Sequence, residues 1–174
     1  QIPMEATARA WASLDLGALA WNLGQLRRLL PSGCQVMAVV KADAYGHGAL
    51  PVAKALQENG VHAFCVACLE EAVALRRGGI RGEILILGYT HPAQFPQLLQ
   101  YDLTQAILDL DYAKALAAYG PVKGHLALDT GMHRLGLDAG NHDAIGQIFA
   151  LPRLRVTGLF THLCADTGTA PAPS

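Results

Sequence analysis

Lys41 follows an apolar run, Val36-Met37-Ala38-Val39-Val40, and precedes Ala42-Asp43-Ala44-Tyr45-Gly46-His47-Gly48. The run is too short for a convincing helix and reads as a buried strand. Lys41 therefore stands at a strand's C-terminal end, with a glycine-flanked turn carrying a tyrosine beyond it. In a parallel α/β architecture that end is where chemistry is done. An amine beside apolar walls sheds its charge more easily and becomes a nucleophile or a Schiff-base partner. The plainer reading is a lysine that marks where a strand reaches solvent. Arg134 and His162 each fall just after other strand-like runs, in Asp129-Thr130-Gly131-Met132-His133-Arg134 and Gly158-Leu159-Phe160-Thr161-His162. A planar guanidinium can hold a carboxylate or a phenolic oxygen where an ammonium orients it poorly. A flat imidazole can stack on an aromatic ring. Taken alone, the arginine reads as a surface residue after a glycine-containing turn, and the histidine as a satisfied structural group.

The elements that position these residues alternate along the chain. Leu16, Leu19, Leu23, Leu26 and Leu30 mark one helical face, closed by Pro31. After the Lys41 strand come a helix around Pro51 to Asn59, a strand over His62 to Ala67 and a helix over Glu70 to Arg77. Ile84 to Leu87 is strand-like, Ala93 to Gln100 helical, Leu103 to Leu108 a weaker strand and Asp111 to Tyr119 helical. His125 to Leu128 and Val156 to Phe160 are the last strands, separated by a helix near His142 to Ala150. Short strands alternating with helices argue for a parallel sheet with helical crossovers. Pattern alone leaves a doubly wound sheet and a (β/α)8 barrel open. Site residues drawn from several strand ends favour the barrel, and the absence of a GxGxxG strand-to-helix turn weakens the dinucleotide alternative.

The 174 residues, 52% hydrophobic, suffice for one globular unit with a substantial core. A net charge of −1 gives no footprint for nucleic acid or an anionic membrane surface. The sequence has no apolar stretch of transmembrane length and no signal-peptide pattern. Cys34, Cys65, Cys68 and Cys164 lie in or beside apolar runs, and the Cys65–Cys68 pair reads as buried small hydrophobes rather than a redox or zinc site. That usage suggests a reducing, cytoplasmic setting. His62, His91, His125 and His142 share no ligand spacing, so no catalytic metal is expected.

Val39-Val40-Lys41-Ala42-Asp43-Ala44-Tyr45-Gly46-His47-Gly48-Ala49 resembles the pyridoxal-phosphate attachment signature of the alanine racemases. His125-Leu126-Ala127-Leu128-Asp129-Thr130-Gly131-Met132-His133-Arg134-Leu135-Gly136 and Gly158-Leu159-Phe160-Thr161-His162 resemble two further motifs of that family, in its order. Gly88-Tyr89-Thr90-His91-Pro92 leans towards the serine/alanine racemases of vancomycin-resistance systems. The resemblance implies that Lys41 attaches pyridoxal 5'-phosphate and serves as one of two catalytic bases. It also makes the Tyr45 hydroxyl a phosphate ligand and stacks His162 on the pyridine ring. By the same resemblance, Arg134 contacts the substrate carboxylate and the cofactor's phenolate. The implied function is racemisation of alanine, with serine the second candidate substrate, supplying D-amino acids for peptidoglycan precursors. The other base is then a tyrosine from the partner subunit's C-terminal domain in a head-to-tail homodimer. The alternative from the same resemblance is a non-catalytic pyridoxal-phosphate-binding barrel of cofactor homeostasis.

The implied fold is the N-terminal portion of a (β/α)8 TIM-type barrel, with about six strands present. A barrel takes about 250 residues, so residues 1–174 read as a partial domain, truncated or one piece of a nicked protein. Two more barrel strands and a β-domain are expected in the remainder, and the 174-residue chain alone is expected to be inactive. The opening stretch Gln1 to Ala6 reads as a boundary that leaves room for an upstream membrane domain, and the small polar tail from Asp166 to Ser174 as an end. One departure stands out: many alanine racemases carry a carbamylated lysine where this chain has Ala127. Alanine cannot bear a carbamate, so Arg134 needs another acceptor, such as an anion, to orient it.

Overall fold

The computed structural model describes residues 12–164; the opening stretch and the tail just named lie outside them. Helix α1 spans Leu16–Leu29, opened by Asp15, whose Oδ1 accepts from the Ala18 amide at 3.0 Å. Arg27 and Arg28 sit in its last turn, where the helix dipole favours cations. Of its predicted apolar face, Leu23 is buried and Leu19 packs against the core, but Leu26 is 57% exposed. The helix therefore covers less of the barrel than its leucine spacing predicts.

Strand β1 (Met37–Val39) is followed by the turn Lys41–Gly46 and then helix α2 (Ala49–Glu58). β2 (Ala63–Val66), α3 (Leu69–Arg77) and β3 (Glu83–Ile86) come next. A 3-10 turn at Pro92–Gln94 leads into α4 (Phe95–Gln100), then β4 (Thr104–Ile107) and α5 (Leu110–Tyr119). β5 (Lys123–Asp129), the two-residue β6 (Leu137–Asp138), α6 (His142–Phe149) and β7 (Arg155–Thr161) complete the described chain.

All strand pairs are parallel, in the order β1-β2-β3-β4-β5, with β7 on the far side of β5. β6 pairs with β5 only at Leu128 and Asp129, beyond the last β4 contact at Leu126, so it prolongs the β4 side. The sheet is the N-terminal part of a (β/α)8 barrel, with the six predicted strands in place and β6 as an addition. Strand alternation sorts the side chains. Phe64, Val66, Ile84 and Ile86 are fully buried in the core against the helices, each contributing about 1.5–3 kcal/mol. Val39, Cys65 and Leu85 point the other way and line a cavity inside the curved sheet.

The cysteines depart in part from expectation. Cys65 is buried, but Cys68 is half-buried and caps α3 rather than continuing the strand, and Cys34 and Cys164 are exposed. Cys68 falls outside the ladder because β2 ends at Val66, two residues earlier. Among the described residues no helix is long and apolar enough to cross a membrane.

Candidate active site

The cavity has a volume of about 590 Å³ and opens at the C-terminal ends of the strands. That is the size expected of a small-molecule or cofactor site. Lys41, Tyr45, Arg134 and His162 all line it, although they are spread over 121 positions of sequence.

Lys41 reaches the cavity because the β1 ladder runs one residue past the strand, with the Val40 amide donating to Cys65 O at 2.9 Å. The backbone then turns the unusual way. Ala42, Asp43, Ala44 and Tyr45 have φ between 51° and 56°, one turn of left-handed helix built from L-residues. Cβ crowding makes this conformation cost about 1–2 kcal/mol per residue, so the four together store on the order of 4–8 kcal/mol. Several bonds hold the turn. The Ala44 amide donates to Val40 O at 3.0 Å and the Gly48 amide to Asp43 O at 2.9 Å. Asp43 Oδ1 accepts from the Ala49 amide at 2.7 Å, tying the turn to the start of α2. Glu71 reaches in from α3, its Oε1 accepting from the Ala42 amide at 2.8 Å. Gly46 and Gly48 leave the turn at φ 85° and 86°, where a side chain would strain the backbone. His47 closes it through Nδ1 against Ala44 O at 2.8 Å, a local polar contact. Tyr45 ends up beside Lys41 with its side chain largely exposed to the cavity mouth.

Arg134 is carried on the loop between β5 and β6. Asp129 organises that loop, its Oδ1 accepting from the amides of Gly131 at 2.9 Å and His133 at 3.0 Å. Its Oδ2 stands 3.0 Å from His133 Nδ1. These bonds, the His133 amide foremost, hold the Asp129 carboxyl below the usual range for an aspartate. Gly136 closes the loop at φ 110°, against the Ala127 carbonyl. Ala127 lines the same cavity as Arg134, and among the described residues no acidic side chain pairs with that guanidinium.

His162 leaves β7 directly after Thr161. Thr161 Oγ1 donates to Leu128 O at 2.8 Å, which leaves the Thr130 hydroxyl to donate to Thr161 Oγ1 at 2.7 Å. The end of β7 is thereby fastened to the start of the Arg134 loop. Deeper in the cavity, His125 Nε2 lies 3.1 Å from Glu83 Oε1, which also accepts from the Thr104 hydroxyl at 3.1 Å. Cys65, in the cavity wall, has its thiol pushed up to about 11, chiefly by burial, so it is a poor nucleophile at neutral pH. Among the described residues no group of three or more His, Cys, Asp or Glu side chains could hold a metal.

The sequence reading missed Glu71, Asp43, Thr161 and the Glu83–His125 pair. A glutamate three residues after a helix cap is a legible signal, but Cys68 at the cap disguises it. Glu83 and His125 are 42 residues apart and meet only through the sheet register.

Residues 14–173 match the alanine racemase N-terminal domain. The chain belongs to the alanine racemase family. A serine/alanine racemase of Enterococcus gallinarum is 43% identical over 156 residues, covering 89% of this chain and 22% of that protein. An alanine racemase of Clostridium tetani is 40% identical over 162 residues, covering 89% of this chain and 42% of that one. Among solved structures, the alanine racemase of Clostridium difficile 630 in complex with cycloserine superposes with a TM-score of 0.85 at 32% identity. That superposition covers 91% of this chain and 46% of that one. The chain thus spans less than half the length of these family members.

Proposed function

We propose that the intact protein is a pyridoxal-phosphate-dependent racemase interconverting L- and D-alanine, with serine as the second substrate, and that residues 1–174 supply the cofactor half of its site. The observation carrying this reading is the convergence of Lys41, Tyr45, Arg134 and His162 on one cavity in a chain of this family. The donor set suits the cofactor: an amine for its aldehyde, a phenol hydroxyl for its phosphate, a guanidinium for an anionic oxygen and a flat imidazole for its ring. When bound, pyridoxal phosphate supplies an electron sink for the charge that builds at the substrate's Cα.

The chain's own residues then divide the work. Lys41 holds the cofactor and, once freed by substrate, takes or returns the Cα proton through Nζ on one face of the amino acid. Arg134 orients the substrate carboxylate, and with Ala127 beside it unable to bear a carbamate, the guanidinium is itself oriented by another acceptor, such as an anion. Tyr45 anchors the phosphate end and His162 fixes the ring plane. Inversion needs a second base on the opposite face, which we assign to a tyrosine of a partner subunit's C-terminal domain in a head-to-tail homodimer. The remaining barrel strands and that domain belong to the rest of the protein. We place the reaction in the cytoplasm, supplying D-amino acids for cell-wall precursors. Likeness to the serine/alanine racemase supports keeping serine beside alanine.

Chiral chromatography of L-alanine and L-serine incubated with the intact protein and pyridoxal phosphate tests the reading. Formation of the D-isomer, reduced by about 10²–10⁴-fold or more in Lys41→Ala, is expected. Cofactor uptake with no inversion of either amino acid would instead favour a non-catalytic cofactor-binding barrel.

A further inference from the structure

The strained turn after Lys41 is held partly from outside, and Glu71 is the side chain that does so. It occupies the third position of α3 and is half-buried. In the common arrangement an acid at that position reaches back to the amide of the helix's own cap residue. Here the cap is Cys68, whose side chain makes no capping bond, and Glu71 behaves differently. Its Oε2 accepts from the Ala67 amide at 2.7 Å, one residue before the cap, while Oε1 crosses to the Ala42 amide at 2.8 Å. Ala42 is the residue directly after Lys41 and the first in the left-handed region, at φ 51°. Ala67 follows β2 and lines the cavity. One carboxylate therefore pins the backbone at the ends of two neighbouring strands, next to the point from which Lys41 projects. Starting α3 requires only the bond on its own side. The second bond, to a residue 29 positions away, serves the turn.

We propose that Glu71 is a positioning residue for Lys41, its carboxylate locking the left-handed turn so that the amine is presented to the cavity in one orientation. The inference rests on the cofactor and racemase reading of the same site. Both bonds are charge-assisted and aimed at backbone amides, the geometry in which a carboxylate outperforms its amide. Glu71→Gln keeps one carbonyl acceptor but turns an NH2 group towards a backbone N–H. Glu71→Asp keeps the charge and both oxygens but is one methylene too short to span both amides.

The test compares the intact wild-type protein with Glu71→Gln and Glu71→Asp. Hydrogen exchange is followed by mass spectrometry, together with equilibrium uptake of pyridoxal phosphate and steady-state racemisation. In Glu71→Gln, peptides covering residues 41–48 should exchange faster by about tenfold or more, while peptides from β4 and β5 keep their protection. Cofactor affinity should fall by about tenfold, and kcat by about ten- to a hundredfold with KM for alanine little changed. Glu71→Asp should lie between wild type and Glu71→Gln on every readout, and it carries the test if the glutamine variant does not fold. Exchange, affinity and kcat all close to wild type in the folded variants would overturn the proposal. So would faster exchange spread evenly over the barrel, the mark of a general packing role. Wild-type protein that takes up no cofactor at Lys41 would instead sink the reading on which the inference rests. Uptake by wild type with unchanged variants would remove Glu71 alone.

Discussion

Replacing Ala42 with glycine should stabilise the protein, the reverse of what this substitution does in an ordinary helix. Ala42 is exposed and sits at φ 51°, ψ 50°, so its Cβ contributes crowding and little packing. Removing that Cβ relieves about 1–2 kcal/mol of left-handed strain. The greater freedom of glycine in the unfolded chain costs back about 0.5–1 kcal/mol, and the amide that donates to Glu71 is untouched. The net gain is about 0–1.5 kcal/mol, centred near 0.7 kcal/mol. Ala74 is the internal control: it is exposed in the middle of right-handed α3, where glycine should cost about 1 kcal/mol. Urea unfolding of the intact protein, followed by circular dichroism, reads both variants on one scale. The two substitutions should move the midpoint in opposite directions. If Ala42→Gly destabilises as much as Ala74→Gly does, the turn is not left-handed in solution and its strain argument fails.

Gly136→Ala should cost about 1–3 kcal/mol in urea unfolding and also depress turnover. A Cβ there lies 2.8 Å from the Ala127 carbonyl oxygen at φ 110°, on the loop that carries Arg134. A wild-type midpoint and full activity would show that the loop has another conformation. Alkylation by iodoacetamide should label the exposed Cys34 early, whereas labelling of Cys65 should keep climbing with pH until about pH 11. The same shift has a sign for stability: with its folded-state pKa raised from 9.0 to about 11, burying Cys65 favours folding below pH 9 and loses that contribution as pH rises towards 11. Fast labelling of Cys65 at pH 7 in the native protein would contradict its burial.

The architecture was legible because apolar runs such as Ile84-Leu85-Ile86-Leu87 are short, regularly spaced and separated by helical patterns. The positions of Lys41, Arg134 and His162 were legible for a related reason: each stands where such a run gives way to glycine or polar residues. The handedness of the turn was not. Ala42-Asp43-Ala44-Tyr45 has no glycine to announce positive φ, and one of the bonds that hold it comes from Glu71, 29 positions away, beside the local bond from the Ala49 amide to Asp43. The two-residue β6 was too short to leave a period. The exposure of Leu26 was hidden because periodicity reports which face a helix could bury, not whether anything covers it.

The most direct measurement of the central claim is to incubate the intact protein with pyridoxal phosphate, reduce with borohydride and map the pyridoxyl group by peptide mass spectrometry. A single mark on Lys41, lost in Lys41→Ala, is expected. Marks scattered over Lys54, Lys114 and Lys123, or a marked peptide that excludes Lys41, would contradict it.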